Sequence, residues 1–202
     1  MLTCTECGLS QGRTRVVPGE GPDNAEVMFI GEAPGFNEDK QGRPFVGAAG
    51  QFLEELLAEA GLRRDQVYIG NVVKCRPPNN RDPLPTEIAA CKSWLDGQIE
   101  LIHPKIIVTL GRFSMARWFP GQSISRIHGQ PAERDGITIV PMFHPAAALH
   151  QQALKATIID DFRRLPRLLQ QLRQVETPPK PAPSGAGPAT PAEPKPEQLS
   201  LF

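Results

Sequence analysis

The chain has 202 residues, and its 22 Lys plus Arg balance its 22 Asp plus Glu, so the formal net charge is zero. Bulk charge therefore selects no partner, and any nucleic-acid site must be a local patch. No stretch approaches the ~20 apolar residues of a membrane span. The opening MLTCTECGLS lacks the basic start and apolar run of a signal peptide, which predicts a cytoplasmic protein of one domain plus a tail.

In chain order, the first strand expected is Glu26–Ile30, which runs into the small, rigid loop GEAPG with a single carboxylate, Glu32, between Gly31 and Ala33. The segment DKQGRPFVGAAG follows and sets Phe45 among glycines, as core or as a half-exposed stacking platform. A helix is predicted over Gln51–Ala60, with Phe52, Leu53, Leu56 and Leu57 on one face and Gly61 as its stop. The next strand, Gln66–Val73, contains Asn71 near its end, and Thr86–Ile102 has the periodicity of a long helix. Strand Lys105–Leu110 ends in GRFS, and strand Thr138–Phe143 ends at His144 in HPAAA. A helix over Ala156–Val175 closes the domain.

Strands alternating with helices predict an α/β fold, a three-layer α/β/α sandwich around a central parallel sheet of about four strands. In such sheets ligands bind at the carboxyl ends of the strands. That rule selects the loops carrying Glu32, Asn71 and His144, together with GRFS. Each residue alone is more often structural than functional, since asparagine caps turns and a lone histidine is often core. Their joint placement at one sheet edge favours a site. GRPFVGAAG matches neither GxxxxGK[ST] nor GxGxxG, so a phosphate-binding loop of those types is not indicated.

The composition changes near residue 175. The domain is assigned to 1–175, a disordered Pro/Ala-rich linker to 176–197, and a short apolar peptide, QLSLF, to 198–202. Four cysteines remain. Cys4 and Cys7 form a CxxC, whereas Cys75 and Cys91 lie far along the chain. Disulfides are not expected in a cytosolic protein. Spacing alone leaves open an iron–sulfur cluster, a zinc site, and a redox CxxC with two unrelated thiols.

GEAPG, DKQGRPFVGAAGQFL, VYIGNVVKCRPPNNRDP, IIVTLG and MFHPAAAL, in this order and with these cysteines, resemble the iron–sulfur (family 4) uracil-DNA glycosylases, over roughly Cys4 to Leu168. The resemblance implies a uracil-DNA glycosylase-like fold and hydrolysis of the N-glycosidic bond of flipped-out uracil. It implies a structural 4Fe-4S cluster on Cys4, Cys7, Cys75 and Cys91. It further implies that Phe45 stacks on uracil, that Asn71 reads its edge, and that His144 meets a uracil carbonyl. Glu32 falls at the family's carboxylate, with Gly31 and Ala33 letting backbone and base approach. Uracil-containing DNA is the implied partner, for a nucleoid-associated monomer.

Two positions depart from the family pattern. His150 follows Leu149 where arginine is common, which leaves a phosphate contact to His150 or Lys155. His128 stands where arginine is frequent, in a loop expected to face DNA. CRPPNNRDP carries no histidine, so covalent capture of DNA is not expected. Gln198, Leu199, Leu201 and Phe202 resemble the pentapeptide that binds the bacterial replication sliding clamp. Two other classes compete: an inert DNA-binding accessory protein with the same fold, and an iron–sulfur redox protein.

Overall fold

The structure, a computed structural model, describes residues 1–176. The predicted linker and the clamp-type peptide therefore lie outside the described residues. The elements in order are α1 (Leu9–Gly12), β1 (Val27–Gly31), α2 (Phe36–Gln41), α3 (Ala48–Glu59), β2 (Tyr68–Asn71), α4 (Pro85–Ile102) and β3 (Ile106–Leu110). Then follow α5 (Arg112–Met115), α6 (Ile124–Ile127), β4 (Ala132–Arg134), β5 (Ile137–Met142), α7 (Pro145–His150), α8 (Leu154–Phe162) and α9 (Leu165–Glu176).

The five strands form one sheet in the order β2-β1-β3-β5-β4. β1, β2, β3 and β5 are parallel, and β4 is antiparallel to β5. Every residue of β1 and of β3 is buried. That is why both read as unbroken apolar runs: helices cover both faces. On one face Val27, Phe29, Ile106, Val108, Val140 and Met142 meet Phe52, Leu53, Leu56 and Leu57 of α3 and Ile158 and Phe162 of α8. The Phe29 and Phe162 rings stack at 5.7 Å. On the other face Met28, Ile30, Ile107 and Ile139 meet Leu9, Leu95, Ile102 and Met115. The three-layer sandwich is as expected.

Two expectations need correction. The sheet has a fifth strand, since Ala132–Arg134 is too short and too charged to show an apolar alternation. Its cue was the Asp135-Gly136 dipeptide, which supplies two positive φ angles (51° and 78°) for a tight hairpin into β5. The closing helix is two helices, because Pro166 has no N–H to continue α8 and its ring would strike the carbonyl four residues back.

From β1 the chain moves to β2 on one side and then crosses to β3 on the other. This reversal opens a crevice at the carboxyl ends of β1 and β3. The loop after β2 is pinned against α4 by Glu87, whose carboxylate accepts from Leu84 N at 2.8 Å and pairs with both terminal nitrogens of Arg81. His128 has a partner within the fold. Its Nδ1 lies 2.7 Å from Oδ2 of the buried Asp161, which ties the segment before β4 to α8.

Lys74 is buried to 1 % exposure beneath the end of β2. Its Nζ donates to the Asn71 carbonyl at 2.8 Å and to Gln98 Oε1 at 2.7 Å. The Gln98 amide in turn donates to the Pro18 carbonyl and to the Tyr68 hydroxyl, both at 2.8 Å. Burial lowers the Lys74 pKa to about 8. One buried ammonium thus fixes the strand end that carries Asn71.

Candidate active site

At the carboxyl edge of the sheet a cavity of about 610 Å³ opens, lined among others by Glu32, Ala33, Phe45, Asn71, His144 and His150. The expected site residues therefore do converge, with Gly31 beneath them as the last residue of β1. Gly31 pairs with Asn71 in the β1–β2 register. A Cβ on Gly31 would lie 2.4 Å from Asn71 Oδ1 and 2.6 Å from Phe45 Cζ. Glycine here keeps the space between amide and ring open.

Asn71 is 1 % exposed, and its buried Oδ1 has no hydrogen-bond partner among the described residues. Leaving such an atom unpaired costs about 1–3 kcal/mol. A buried acceptor at the wall of a cavity is a group waiting for a donor.

Phe45 is buried, not half exposed, and its backbone is left-handed at φ 51°. A bulky residue adopts that conformation only where its surroundings impose it. Three groups do so. Glu38 Oε1 accepts from Val46 N at 2.9 Å and Gly47 N at 2.8 Å. Arg64 donates to the Pro44 and Phe45 carbonyls while pairing with Glu20 and Glu54. Gly50 lets α3 begin directly against this turn, since a Cβ there would sit 1.9 Å from the Phe45 carbonyl oxygen.

His144 caps α7, and its Nδ1 accepts from Ala146 N at 3.1 Å. The ring stands 5.6 Å from Phe45, 24° from parallel. Burial pushes its pKa down to about 4, against a small opposing pull from Glu38. The imidazole is thus neutral at pH 7, and because Nδ1 accepts, its proton is on Nε2. Gly111, at φ 90°, lies under it; a Cβ there would be 3.1 Å from the His144 Cβ.

The Glu32 carboxylate has no hydrogen-bond partner among the described residues. Burial raises its pKa, the Asp82 charge adds to this, and Arg112 opposes it. Two neighbouring carboxylates are committed elsewhere. Glu38 holds the Phe45 loop, and Asp39 Oδ1 accepts from Thr14 N at 2.8 Å and Arg15 N at 3.3 Å. Lys155 is turned to Glu55 and the Phe52 ring, so His150 alone of the two phosphate candidates lines the cavity.

Cys4, Cys7, Cys75 and Cys91 line a second, smaller cavity, and all four are free thiols. Arg13 donates to Cys75 Sγ at 3.3 Å and to the Cys4 carbonyl at 2.8 Å. Burial raises the thiol pKa of Cys75 and of Cys91. Among the described residues no three His, Cys, Asp or Glu side chains gather closely enough for a single metal ion. Four soft sulfur donors around one cavity are a donor set that an iron–sulfur cluster takes.

The model of the uracil DNA glycosylase superfamily matches residues 18–176. The chain belongs to the uracil-DNA glycosylase superfamily. Several similar relatives carry the name type-4 uracil-DNA glycosylase. The one from Sulfurisphaera tokodaii is 51 % identical over 83 % of this chain and 81 % of its own. That from Thermotoga maritima is 47 % identical over 80 % and 86 %, and that from Archaeoglobus fulgidus 45 % identical over 83 % and 89 %.

In this uracil-DNA glycosylase-type site, sequence reasoning did not foresee the supporting roles of Arg64, Glu38, Gly50, Gly111 and Lys74. The glycines carried a cue, as each stands where a chain must approach another closely. Arg64 carried none, because its partners lie 10 to 44 residues away in sequence.

The lowered pKa of His144 has a consequence for stability. Below about pH 6.5 the unfolded chain binds a proton that the folded chain refuses until about pH 4. Stability is therefore lost as pH falls through that window, by about 2 kcal/mol at pH 5. Urea titrations should show wild type losing more stability between pH 7 and pH 5 than His144→Gln. Identical losses would contradict a neutral, buried imidazole.

Proposed function

We infer that this chain hydrolyses the N-glycosidic bond of uracil in DNA and leaves an abasic site, as in the first step of base excision repair. The family match supports the activity. The observation that carries the roles below is the unpartnered Oδ1 of Asn71, at a cavity wall beside Phe45 and His144.

Uracil within a duplex is out of reach, so the nucleotide must be flipped into the cavity. Phe45 offers the stacking face. Asn71 offers an acceptor for N3–H and a donor for O4, a pattern that cytosine reverses. As the bond breaks, negative charge gathers on the base and positive charge on the sugar. The Nε2–H of neutral His144 donates to the departing uracil anion, an effect typically worth about 3 kcal/mol. Glu32 stabilises the sugar cation and orients water; its raised pKa strengthens it as a proton acceptor. Gly31 and Ala33 leave room for both. No lysine is among the residues lining the cavity, which supports hydrolysis without a lyase step. All of these groups come from one chain, so a monomer suffices.

Cys4, Cys7, Cys75 and Cys91 would hold a 4Fe-4S cluster. When bound, it supplies cross-links between the N-terminal segment, the loop after β2, and α4. Asn71 stands four residues before Cys75, so the same loop serves both cavities. Outside the described residues, the peptide Gln198, Leu199, Leu201 and Phe202 is proposed to bind the replication sliding clamp, with Leu201 and Phe202 in an apolar pocket.

An oligonucleotide with one uracil should acquire an alkali-labile site on incubation with the protein. His144→Ala should lower the single-turnover rate by roughly two orders of magnitude. Asn71→Asp should blur the choice of uracil over cytosine. No alkali-labile site with wild type would overturn the activity, and wild-type rates in both variants would overturn the roles. Anaerobically purified protein should be brown and carry iron; stoichiometric zinc without iron would reject the cluster. Ending the chain at Pro196 should abolish binding to the organism's own clamp and leave excision intact. Equal clamp affinity would reject the tether.

A further inference from the structure

The molecule carries no net charge, and among the described residues most cations are bound to carboxylates. At the rim of the cavity, Arg81 is held by Glu87 and Arg112 by Asp82. On other faces Arg43 pairs with Glu20, Arg63 with Asp65, and Arg163 with Glu59. Each such pairing makes a cation less available to a DNA strand. Yet a glycosylase must hold the phosphates on either side of the nucleotide that it turns out.

One cluster beside the cavity answers this need. Phe36, the first residue of α2, lines the cavity mouth and is 48 % exposed. Lys40, one helical turn on, places its Nζ 4.3 Å from the Phe36 ring centroid. Arg76, from the loop after β2, brings its guanidinium to 5.0 Å from the same centroid. Among the described residues neither cation has a carboxylate partner. Arg76 is not loose either. Its Nε donates to Asn80 Oδ1 at 2.6 Å, and Asn80 is itself set by a left-handed backbone at φ 53°. Asn80 also lines the cavity mouth. An exposed aromatic ring and two uncommitted cations, drawn from separate segments, thus stand together at the entrance.

A ring between cations is a modest surface contact if nothing else arrives, about 0.5–1 kcal/mol at an exposed site. A single strand of DNA offers each member more. Bases stack on exposed aromatic rings, and cations released from a ring take phosphate oxygens. We propose that Phe36, Lys40 and Arg76 form a subsite for the nucleotide next to the flipped uridine. Phe36 stacks that neighbour's base, and Lys40 and Arg76 bind its phosphodiester groups. The subsite rests on the glycosylase reading given above. It acts on strand capture and not on bond cleavage, because none of the three is among the groups assigned to the reaction.

The test is single-turnover excision from a single-stranded uracil oligonucleotide by the full chain. The rate is followed against enzyme concentration at several NaCl concentrations, which yields a half-saturation constant and a maximal rate. Lys40→Gln and Arg76→Gln should each reduce the slope of log affinity on log salt by about 0.7, the value for one phosphate contact on a single strand. Phe36→Ala should raise the half-saturation constant about tenfold, and Phe36→Trp should restore it. Maximal rates should stay within twofold of wild type in every variant. Unchanged salt slopes in both cation variants, or unchanged affinity in Phe36→Ala, would overturn the subsite while excision persists. A lowered maximal rate with unchanged affinity would also overturn it, since the cluster would then act through the fold. Failure of wild type to excise uracil would instead remove the glycosylase reading beneath it.

Discussion

The pairing of Gly31 with Asn71 across β1 and β2 decides where the remaining groups of the site must stand. Parallel strands in fixed register bring a residue without a side chain beside one with an amide. The gap that glycine leaves is bounded by the Asn71 oxygen and by the Phe45 ring. Shifting β2 by one residue would turn the amide to the opposite face of the sheet. The register is secured from below, because Lys74 grips the Asn71 carbonyl and the strands around it are packed on both faces.

Around this fixed pair, the loop that carries Phe45 is held in place. A phenylalanine at positive φ is held there by hydrogen bonds to its neighbours' backbone, and these come from both directions. Glu38 reaches forward from α2, and Arg64 reaches back from the turn before β2. Neither side chain meets the base in the roles assigned above. They set the plane of a ring against which a flat ligand can lie. His144 faces that ring from α7, and its own orientation is set by a backbone amide. Preorganisation of this kind is what lets a single donor act strongly on developing charge.

Much of this was legible in the sequence for physical reasons. Buried parallel strands such as VMFIG and IIVTL must be continuous apolar runs, so they announce themselves. The residues that follow them fall at one edge by topology, which brought Glu32, Asn71 and His144 together before any coordinates. What did not show was anything decided by contacts distant in sequence. Arg64 reads as an ordinary surface arginine until the chain folds over it. His128 reads as a loop histidine until Asp161 arrives from 33 residues on. For Phe45 the sequence left core and half-exposed platform open, because glycine-rich surroundings suggest looseness when here they permit close packing.

The Asn71 oxygen has no protein partner among the described residues, so its acceptor faces whatever fills the cavity. A nonpolar side chain of similar size at that position would blind the cavity to the edge of a base. Under the roles proposed above, a site of this design has an inherent drawback: the released base would satisfy the same amide as the substrate does, and would compete with the next damaged strand for it.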